Sequence, residues 1–345
     1  MVTDIKSDFD EFMRGSRVFI LGAGFSAAAG IPLTSTLLRD AMSIFKKECN
    51  GIFQRVDGYA QDLEWRTEGE IDYAKFSFSE LCTHLEFVEL SEYAGGERWS
   101  NEGSREKLAL RFYLAKCIAK STPPPHSIPN LYIEFAKQLS DRDVVISFNW
   151  DGLLELALLQ AGKRFSYNFG ATGISLAKPH GSINWRLNEP RNLRGPANTL
   201  GWEAIGFAKG FIEQEIWHTN ALLDRSIWDY YNPLGEVQPF LVLPGYGKAF
   251  DVRSNATLWY RPGFAFVASR DIYIIGLGLA PDDHFVRSFF LNCFPVQGKH
   301  LYIINPDKMA PENYAFALQG QDSHLLNEAF SMDHVALMKR RLEID

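Results

Sequence analysis

The chain has 345 residues, enough for about two domains of ordinary size. Hydrophobic residues make up 46% of the sequence and charged residues 22%, which is typical of a globular protein with a large core. The net charge of −7 argues against non-specific coating of nucleic acid, since that requires a basic surface. The cysteines lie far apart and form no CxxC pair, so neither a four-cysteine zinc ribbon nor a disulfide framework is expected. They are Cys49, Cys82, Cys117 and Cys293.

Neither a leader nor a membrane span is expected. The first residues, MVTDIKSDFDEF, alternate polar and charged side chains, unlike a secretory signal. The longest apolar run, Ile272–Ala280, falls far short of the roughly 20 residues that cross a bilayer. We therefore expect a cytoplasmic protein that does not bind membranes.

The first part of the chain has the pattern of a nucleotide-binding unit. Helix-like spacing at 3–14 predicts a short leading helix. The apolar run Arg17–Leu21 is typical of a strand buried on both faces. It ends in Gly22-Ala-Gly24, and after Pro32 the apolar positions of Thr34–Lys47 share one helical face. A strand, a glycine turn and a helix in this order open a nucleotide-binding α/β unit.

Two insertions are expected. Residues 49–140 are predicted to be mostly helical, with periodic segments at Phe78–Leu90 and Leu108–Lys120. Pro123–Pro125 form a stiff connector, because proline fixes φ and does not continue a helix. Residues 183–238 are predicted to form a small, zinc-free, aromatic-rich lobe. Its tryptophans either anchor a partner interface or form the core of that lobe, and they are Trp202, Trp217 and Trp228.

Strand character returns later in the chain. Asp143–Phe148 is a predicted strand with a helix after it at Asp151–Gln160, and a further helix is predicted at Asp282–Cys293. Apolar strands that alternate with helices predict a Rossmann-like α/β fold, a mostly parallel sheet with helices on both faces. The remaining predicted strands are Phe240–Leu243, Asp271–Ile275 and His300–Ile304.

The expected core is therefore discontinuous. Residues 15–48, 141–182 and 239–310 would form one α/β core, and 311–345 a C-terminal helical segment.

The glycine turn after the first strand is a candidate phosphate site. Gly22 and Gly24 would let the backbone turn tightly and approach a pyrophosphate. The amides of Ala23, Phe25 and Ser26 would point at phosphate oxygens, aided by the positive end of the following helix. On its own, an ordinary structural turn explains such a glycine pair equally well.

A second motif, Ser147-Phe-Asn-Trp-Asp151, lies where a predicted strand ends. Ligands of open α/β sheets bind beyond the carboxyl ends of the strands. Asn149 offers a donor and an acceptor, and Asp151 offers an anionic acceptor. The alternative is that Asp151 only caps the helix that begins at Gly152.

Later motifs add a histidine, a glycine pair and an asparagine. His180 lies between a proline and a glycine in a loop, and an imidazole suits general-base work or binding of a ribose hydroxyl. Taken singly, any histidine is more often a surface or core residue. Gly276 and Gly278 follow one strand, and Asn305 follows the last. Asn305 either bonds a ribose or adenine edge or marks an ordinary turn.

Taken together and in this order, these motifs resemble the sirtuin superfamily, over the α/β core. The resemblance implies catalytic roles for three residues. Asn149 would face the nicotinamide ribose, Asp151 would hold the nicotinamide carboxamide, and His180 would polarise a ribose hydroxyl or water. It also implies NAD contacts from Gly22, Ala23, Gly24, Phe25, Ser26, Ile31, Pro32, Gly276, Gly278 and Asn305.

Two departures separate the chain from the classical sirtuin deacylases. Those enzymes follow Gly-Ile-Pro with Asp-Phe-Arg, whereas Leu33, Thr34 and Ser35 stand here, so the phenylalanine that shields the sugar cation has no equivalent. Their small domain is built on a zinc held by two CxxC pairs, whereas residues 182–240 contain no cysteine. The remaining pattern is similar to the zinc-free sirtuin-like NAD-hydrolysing domains of bacterial anti-phage defence proteins.

The resemblance implies an NAD+ glycohydrolase that releases nicotinamide and ADP-ribose without a metal. It further implies a regulated effector of abortive infection, as a homo-oligomer or in complex with a second defence protein. An NAD-dependent protein deacylase and a non-catalytic sensor of NAD or ADP-ribose stay open as alternatives. A hydride-transferring dehydrogenase is disfavoured because the glycine turn lacks the G-x-G-x-x-G spacing.

Overall fold

The computed structural model describes most of the chain. The described residues are 17–65, 69–91, 93–94, 98–99, 104–167, 173–187, 216–235, 238–249, 256–279, 283–293, 298–318 and 321–342. The helix predicted at 3–14 and Trp202 lie outside them. None of the helices in this part of the chain is both long and apolar enough to cross a membrane.

The strands of the described residues number twelve, and several are short. They are β1 (Arg17–Leu21), β2 (Tyr93–Ala94), β3 (Arg98–Trp99), β4 (Val144–Ser147), β5 (Phe165–Ser166), β6 (Ile174–Ala177), β7 (Gly181–Leu187), β8 (Ile216–His218), β9 (Pro239–Leu241), β10 (Asp271–Ile275), β11 (His300–Ile304) and β12 (Asp322–Leu326).

The α-helices of the same residues are named in chain order, and short 3-10 turns lie between some of them. The helices are α1 (Ala23–Ser26), α2 (Thr34–Glu48), α3 (Asn50–Leu63), α4 (Phe78–Ser91), α5 (Ser104–Ser121), α6 (Asn130–Gln138), α7 (Leu153–Gln160), α8 (Thr257–Ala268), α9 (His284–Cys293), α10 (Ala310–Leu318) and α11 (Met332–Leu342).

The chain forms two compact units. The first, here the sheet unit, contains Met1–Ile31, Thr122–Pro179 and Leu258–Asp345. The second unit contains Pro32–Ser121 and His180–Thr257. These groupings differ from the expected boundaries, because α2 joins the helices α3–α5, and α6 joins the sheet.

A seven-stranded parallel sheet forms the centre of the sheet unit. Its strand order is β12-β11-β10-β1-β4-β6-β5, and every neighbouring pair is parallel. From β1 the chain adds β4 on one side and later β10 on the other, so β1 lies at a topological switch point. All residues of β1 and β4 are buried, as expected for strands covered on both faces, and the buried charge of Arg17 at the start of β1 is paired with Asp143.

Helices cover both faces of this sheet. On one face the apolar side chains of β1, β4, β10 and β11 pack against Phe266 of α8, Phe290 of α9 and Tyr314 of α10. On the other face, Phe19 of β1 meets Phe135 of α6 edge-on, with ring centroids 5.5 Å apart. The predicted Rossmann-like α/β fold, a mostly parallel sheet between helices, is therefore confirmed.

One predicted strand belongs to a different sheet. Phe240–Leu243 was expected in the parallel sheet, but β9 pairs antiparallel with β7 in a three-stranded sheet of the second unit. A short apolar run predicts burial, and burial alone does not determine the partner strand.

The C-terminal segment is only partly helical. Residues 311–345 were expected to be helical, and α10 and α11 agree, but β12 between them extends the parallel sheet. β12 is a partly exposed edge strand, and its sequence DSHLL contains no continuous apolar run from which a strand could be predicted. The short strands β5 and β6 were likewise not predicted.

The second unit matches the predicted helices closely. The segments expected at Thr34–Lys47, Phe78–Leu90 and Leu108–Lys120 correspond to α2, α4 and α5. Trp228 is fully buried, and its indole N–H donates to the Leu222 carbonyl at 3.0 Å, which favours the core alternative for that residue.

Candidate functional site

The candidate site of the sheet unit lies at the carboxyl ends of four neighbouring strands. In the parallel register Leu21 pairs with both Ile275 and Ser147, and Ile275 pairs with Ile304. The strands therefore end level with one another. The polar and glycine motifs that follow them, predicted separately along the sequence, meet at one edge of the sheet.

The two glycine turns pack directly against each other. The Gly24 amide donates to the Gly276 carbonyl at 2.8 Å. A Cβ on Gly22 would lie 2.4 Å from Leu277 Cα, and one on Gly276 would lie 2.1 Å from the Phe25 nitrogen. Gly276 also has a φ of +65°, in the left-handed region. Contact between the two turns is thus sufficient to explain why Gly22, Gly24 and Gly276 are glycines, and no bound pyrophosphate is needed for that explanation.

Gly278 differs from the other glycines of the site. Among the described residues, a Cβ at this position would meet no atom within 4 Å. Neither packing against the described residues nor a left-handed φ therefore requires a glycine at position 278.

The amide of Phe25 is engaged within the turn. It donates to the Gly22 carbonyl at 2.9 Å, so it is not directed at a phosphate in this structure. The Phe25 ring is buried and packs against Tyr132, Phe135 and Phe330. This side chain is a core residue of the sheet unit.

Asn149 joins the end of β4 to the glycine turn. Its Nδ2 donates to the Gly22 carbonyl at 2.9 Å and to Ser26 Oγ at 3.2 Å, and the residue is 8% exposed. These bonds hold the side-chain amide in one orientation.

Asp151 is a buried carboxylate, 7% exposed. Its Oδ1 accepts from the Leu153 amide at 3.0 Å, as the helix-capping alternative predicts. Burial raises the pKa of Asp151, while the Lys178 charge and hydrogen bonds from Leu153 and Ser26 oppose that shift. Asp151 is therefore both a cap and a partly compensated buried acid.

Sequence reasoning missed the charged neighbours of Asp151. Lys178 Nζ donates to the Asp151 carbonyl oxygen at 2.5 Å and to Glu155 Oε1 at 2.8 Å. The signal was present, since Glu155 is the one charged residue in the otherwise apolar turns of LLELALLQ. A charge at a buried helix position requires a partner.

Tyr132 was also missed. Its hydroxyl donates to the Phe25 carbonyl at 2.9 Å and so ties α6 to the glycine turn. Burial raises the pKa of Tyr132, and the nearby Asp151 charge adds to the effect. No motif indicated this residue, because it belongs to a segment that was expected to be an insertion.

Asn305 holds the second glycine turn. Its Nδ2 donates to the Leu277 carbonyl at 2.7 Å, and its Oδ1 accepts from the Asp307 amide at 3.0 Å. Tyr314 Oη donates to the same Leu277 carbonyl at 2.9 Å. The side chain thus supports the turn, as the ordinary-turn alternative predicted.

Ile31, the remaining predicted contact in the sheet unit, is buried and follows a left-handed Gly30 with φ +82°. Pro32 and His180 belong to the second unit. There the His180 carbonyl accepts from the Val242 amide at 2.9 Å. Gly181 has a φ of +78°, and a Cβ on it would lie 2.1 Å from the Phe240 carbonyl oxygen, so a glycine is required after His180.

Among the described residues, no group of three or more histidine, cysteine, aspartate or glutamate side chains is arranged to hold a metal ion. Within the sheet unit the structure brings together Gly22, Gly24, Ser26, Asn149, Asp151, Gly276 and Asn305.

The topology and this cluster define the class: an open, parallel, Rossmann-like α/β protein with polar strand ends at its switch point, the usual ligand position of such sheets. No protein-family model and no curated protein matches the sequence.

Solved structures of Sir2 proteins show a distant likeness. One, a mutant Sir2 homologue in complex with ADP-ribose, is 13% identical with a TM-score of 0.49, over 98% of each chain. Another, Sir2 with a p53 peptide and NAD+, is 13% identical with a TM-score of 0.46, again over 98% of each chain. At this identity the likeness assigns no residue a role.

Proposed function

We propose that this protein is an NAD+ glycohydrolase that cleaves the nicotinamide–ribose bond. The observation that carries the proposal is the joint position of Asn149, Ser26 and Asp151 at the switch point of the sheet. The sequence resemblance associates Asn149 and Asp151 with the nicotinamide end of NAD+, and it associates Ser26 with the NAD+ site more generally.

In the proposed reaction, water attacks C1′ of the nicotinamide ribose. The C–N bond breaks, and its electron pair leaves with nicotinamide, which becomes neutral. The products are nicotinamide, ADP-ribose and one proton. Because the transition state resembles an oxocarbenium ion, the protein needs to orient the reactants and stabilise charge more than to supply a strong nucleophile.

Asp151 is the proposed acceptor for the carboxamide N–H groups of nicotinamide. An ionised carboxylate makes the stronger bond to such a donor. Asn149, held by Gly22 and Ser26, places the ribose or the attacking water. His180 is proposed to accept the proton from water or from a ribose hydroxyl, on the basis of its sequence motif.

Open space at Gly278 supports the placement of a ligand near the second glycine turn. Gly22, Gly24 and Gly276 do not add to this support, because the close contact between the two turns already requires glycine at these positions.

The test is incubation of the purified protein with NAD+, followed by chromatography of the products. We expect nicotinamide and ADP-ribose in equal amounts, and a loss of turnover in Asn149→Ala and His180→Ala. His126→Ala, at an exposed histidine, is the matched control and should keep full activity. Intact NAD+ after incubation, with and without proteins encoded by neighbouring genes, would contradict the proposal.

The same assay separates the alternatives. A protein deacylase would release nicotinamide only with an acetyl-lysine peptide and would form acetyl-ADP-ribose. A sensor is favoured by one observation, that Asp151 and Asn305 already serve the fold as a helix cap and a turn support. For a sensor, NAD+ or ADP-ribose would bind and persist, and His180→Ala would leave the biological response unchanged.

We further propose that the activity is that of a regulated anti-phage effector, as a homo-oligomer or with a second defence protein. This part of the proposal rests on the sequence resemblance. We expect infected cells that carry the wild-type protein to lose NAD+ and survive poorly, while cells with Asn149→Ala keep their NAD+. Equal NAD+ levels in both strains after infection would argue against it.

A further inference from the structure

The start of α7 contains a cluster of buried ionisable side chains. Lys178 is 0% exposed, Glu155 is 1% exposed and Asp151 is 7% exposed. Lys178 Nζ contacts the Asp151 carbonyl oxygen at 2.5 Å and Glu155 Oε1 at 2.8 Å. One side chain from the end of β6 therefore joins the backbone of Asp151, whose carboxylate caps α7, to Glu155, the third residue of that helix.

We propose that Lys178 is a positioning residue for Asp151: it fixes the backbone from which the carboxylate projects and balances the carboxylate charge. This inference rests on the proposed function, in which Asp151 binds the substrate carboxamide.

Stability alone is a weak reason for the Lys178–Glu155 pair. Taking two charges out of water costs about as much as their attraction returns, and apolar replacements of similar size are often neutral or stabilising. The neighbours of Glu155 along α7 are buried leucines and an alanine, so the carboxylate is an exception in an otherwise apolar part of the helix. The pair is better explained by its effect on the adjacent Asp151.

The groups that face Asp151 come from several elements. They are the Ser26 hydroxyl, the Leu153 amide, the Lys178 ammonium, the Glu155 carboxylate and, from α6, Tyr132. Among the influences that oppose burial and lower the pKa of Asp151, the Lys178 charge is the largest. The Glu155 charge acts in the other direction and is the smallest influence of the set.

Glu155 is itself compensated. Besides Lys178, its Oε1 accepts from the Tyr167 hydroxyl at 3.0 Å. Loss of the Lys178 charge would thus leave Asp151 protonated at pH values where it is now ionised, and a neutral carboxyl accepts the carboxamide N–H groups less strongly.

The test uses the double variant Lys178→Met with Glu155→Gln, because the single lysine variant would leave a buried carboxylate without its cation. Nicotinamide release is measured as kcat/KM from pH 5 to 9. We expect the acid limb of the profile to move up by about one pH unit, so that kcat/KM at its acid end falls about tenfold. The KM for NAD+ should rise more than kcat falls, because carboxamide binding is weakened.

Lys299→Met is the matched control. Lys299 is also buried in the sheet unit, but its ammonium donates to the carbonyls of Phe266, Val267 and Ser269 at the end of α8. The Lys299→Met variant should melt at a lower temperature than the wild type and should have the same pH profile of kcat/KM. A double variant whose profile superimposes on that of the wild type would overturn the proposal.

A second measurement does not depend on catalysis. The carboxyl carbon of Asp151 is followed by NMR during a pH titration of protein labelled with 13C at aspartate carboxyls. We expect its midpoint to be higher in the double variant than in the wild type and unchanged in Lys299→Met. If the wild type fails to cleave NAD+, the proposed function fails while this titration still decides the role of Lys178, and an unmoved midpoint refutes it.

Discussion

Asn149 Nδ2 donates to the carbonyl oxygen of Gly22 at 2.9 Å, joining the ends of two adjacent parallel strands. The two residues are 127 positions apart in the sequence. This bond makes the asparagine part of the structure of the glycine turn as well as part of the candidate site. Changes at the site are therefore expected to affect folding and activity in separable ways.

Asn149→Asp should be more harmful to folding than Asn149→Ala. The aspartate would direct a carboxylate at the Gly22 carbonyl, where the native amide donates, while alanine only removes the bond. We expect a loss of about 1 to 3 kcal/mol in the free energy of unfolding for the aspartate, measured by urea denaturation. An aspartate variant as stable as the wild type would contradict the observed role of this amide.

The glycines of the second turn should respond differently to alanine. Gly276→Ala should lower the free energy of unfolding by about 2 kcal/mol or more, since φ is +65° and the new Cβ would overlap the Phe25 nitrogen. Gly278→Ala should change it by less than about 0.5 kcal/mol, because the Cβ enters open space.

The affinity of the same two variants for NAD+ is then measured by calorimetry. If the open space at Gly278 belongs to the ligand site, Gly278→Ala should weaken NAD+ binding although the fold is intact. Unchanged affinity would place the ligand elsewhere.

Asp151→Asn should separate stability from activity. Burial raises the pKa of Asp151, so the folded state holds a proton more readily than the unfolded chain does. Stability therefore falls as pH rises through the unfolded pKa towards the folded one, and the ionised form at neutral pH carries that cost. An asparagine at 151 still accepts from the Leu153 amide, and it avoids the cost of holding an ionised carboxylate in a buried position.

We accordingly expect Asp151→Asn to melt no lower than the wild type at neutral pH, with nicotinamide release reduced on the order of 100-fold. The measurements are thermal unfolding and product analysis on the same preparation. A variant that melts much lower, yet cleaves NAD+ normally, would show that Asp151 is only a helix cap.

The start of α11 should be sensitive to acid. His334 Nδ1 accepts from the Ser331 amide at 3.1 Å, in the arrangement of a capping box with histidine at the third position. Burial lowers the pKa of His334, while Glu328 and Asp333 oppose the shift. The contribution of His334 to stability is thus fully present above the unfolded pKa of about 6.5. It is lost as pH falls through that value towards the lower pKa of the folded state.

His334→Gln should keep the capping bond and remove this part of the pH dependence. We expect the melting temperatures of wild type and variant to agree near pH 8 and to diverge at pH 5, with the wild type lower. Because burial also lowers the pKa of His84, the difference between the two proteins is the quantity to compare. Parallel curves across this range would contradict the assignment.

Much of the fold follows from local patterns. The uninterrupted apolar runs at β1, β10 and β11 predicted buried strands at their observed positions, and the periodic segments predicted α2, α4 and α5 to within a few residues. Gly22, Asn149, Gly276 and Asn305 were each predicted from their position at the end of a strand. The parallel register brings them together because strands of one sheet end level with their neighbours.

Other features had no local signature. β12 is a partly exposed edge strand, and β9 pairs with β7 instead of joining the parallel sheet. Tyr132 and Lys178 carry no motif, and Glu155 is marked only by its charge in an apolar helix, yet all three are buried around Asp151.

The sequence by itself determined which segments are buried, where strands end and which polar residues follow them, because hydrophobic periodicity and turn chemistry act over a few neighbouring residues. Only the tertiary structure decided which strands pair, that the glycines serve contact between two turns, and that a buried lysine stands beside Asp151. Those outcomes depend on contacts between distant segments and on the cost of burying charge, and neither is written into any one stretch of the chain.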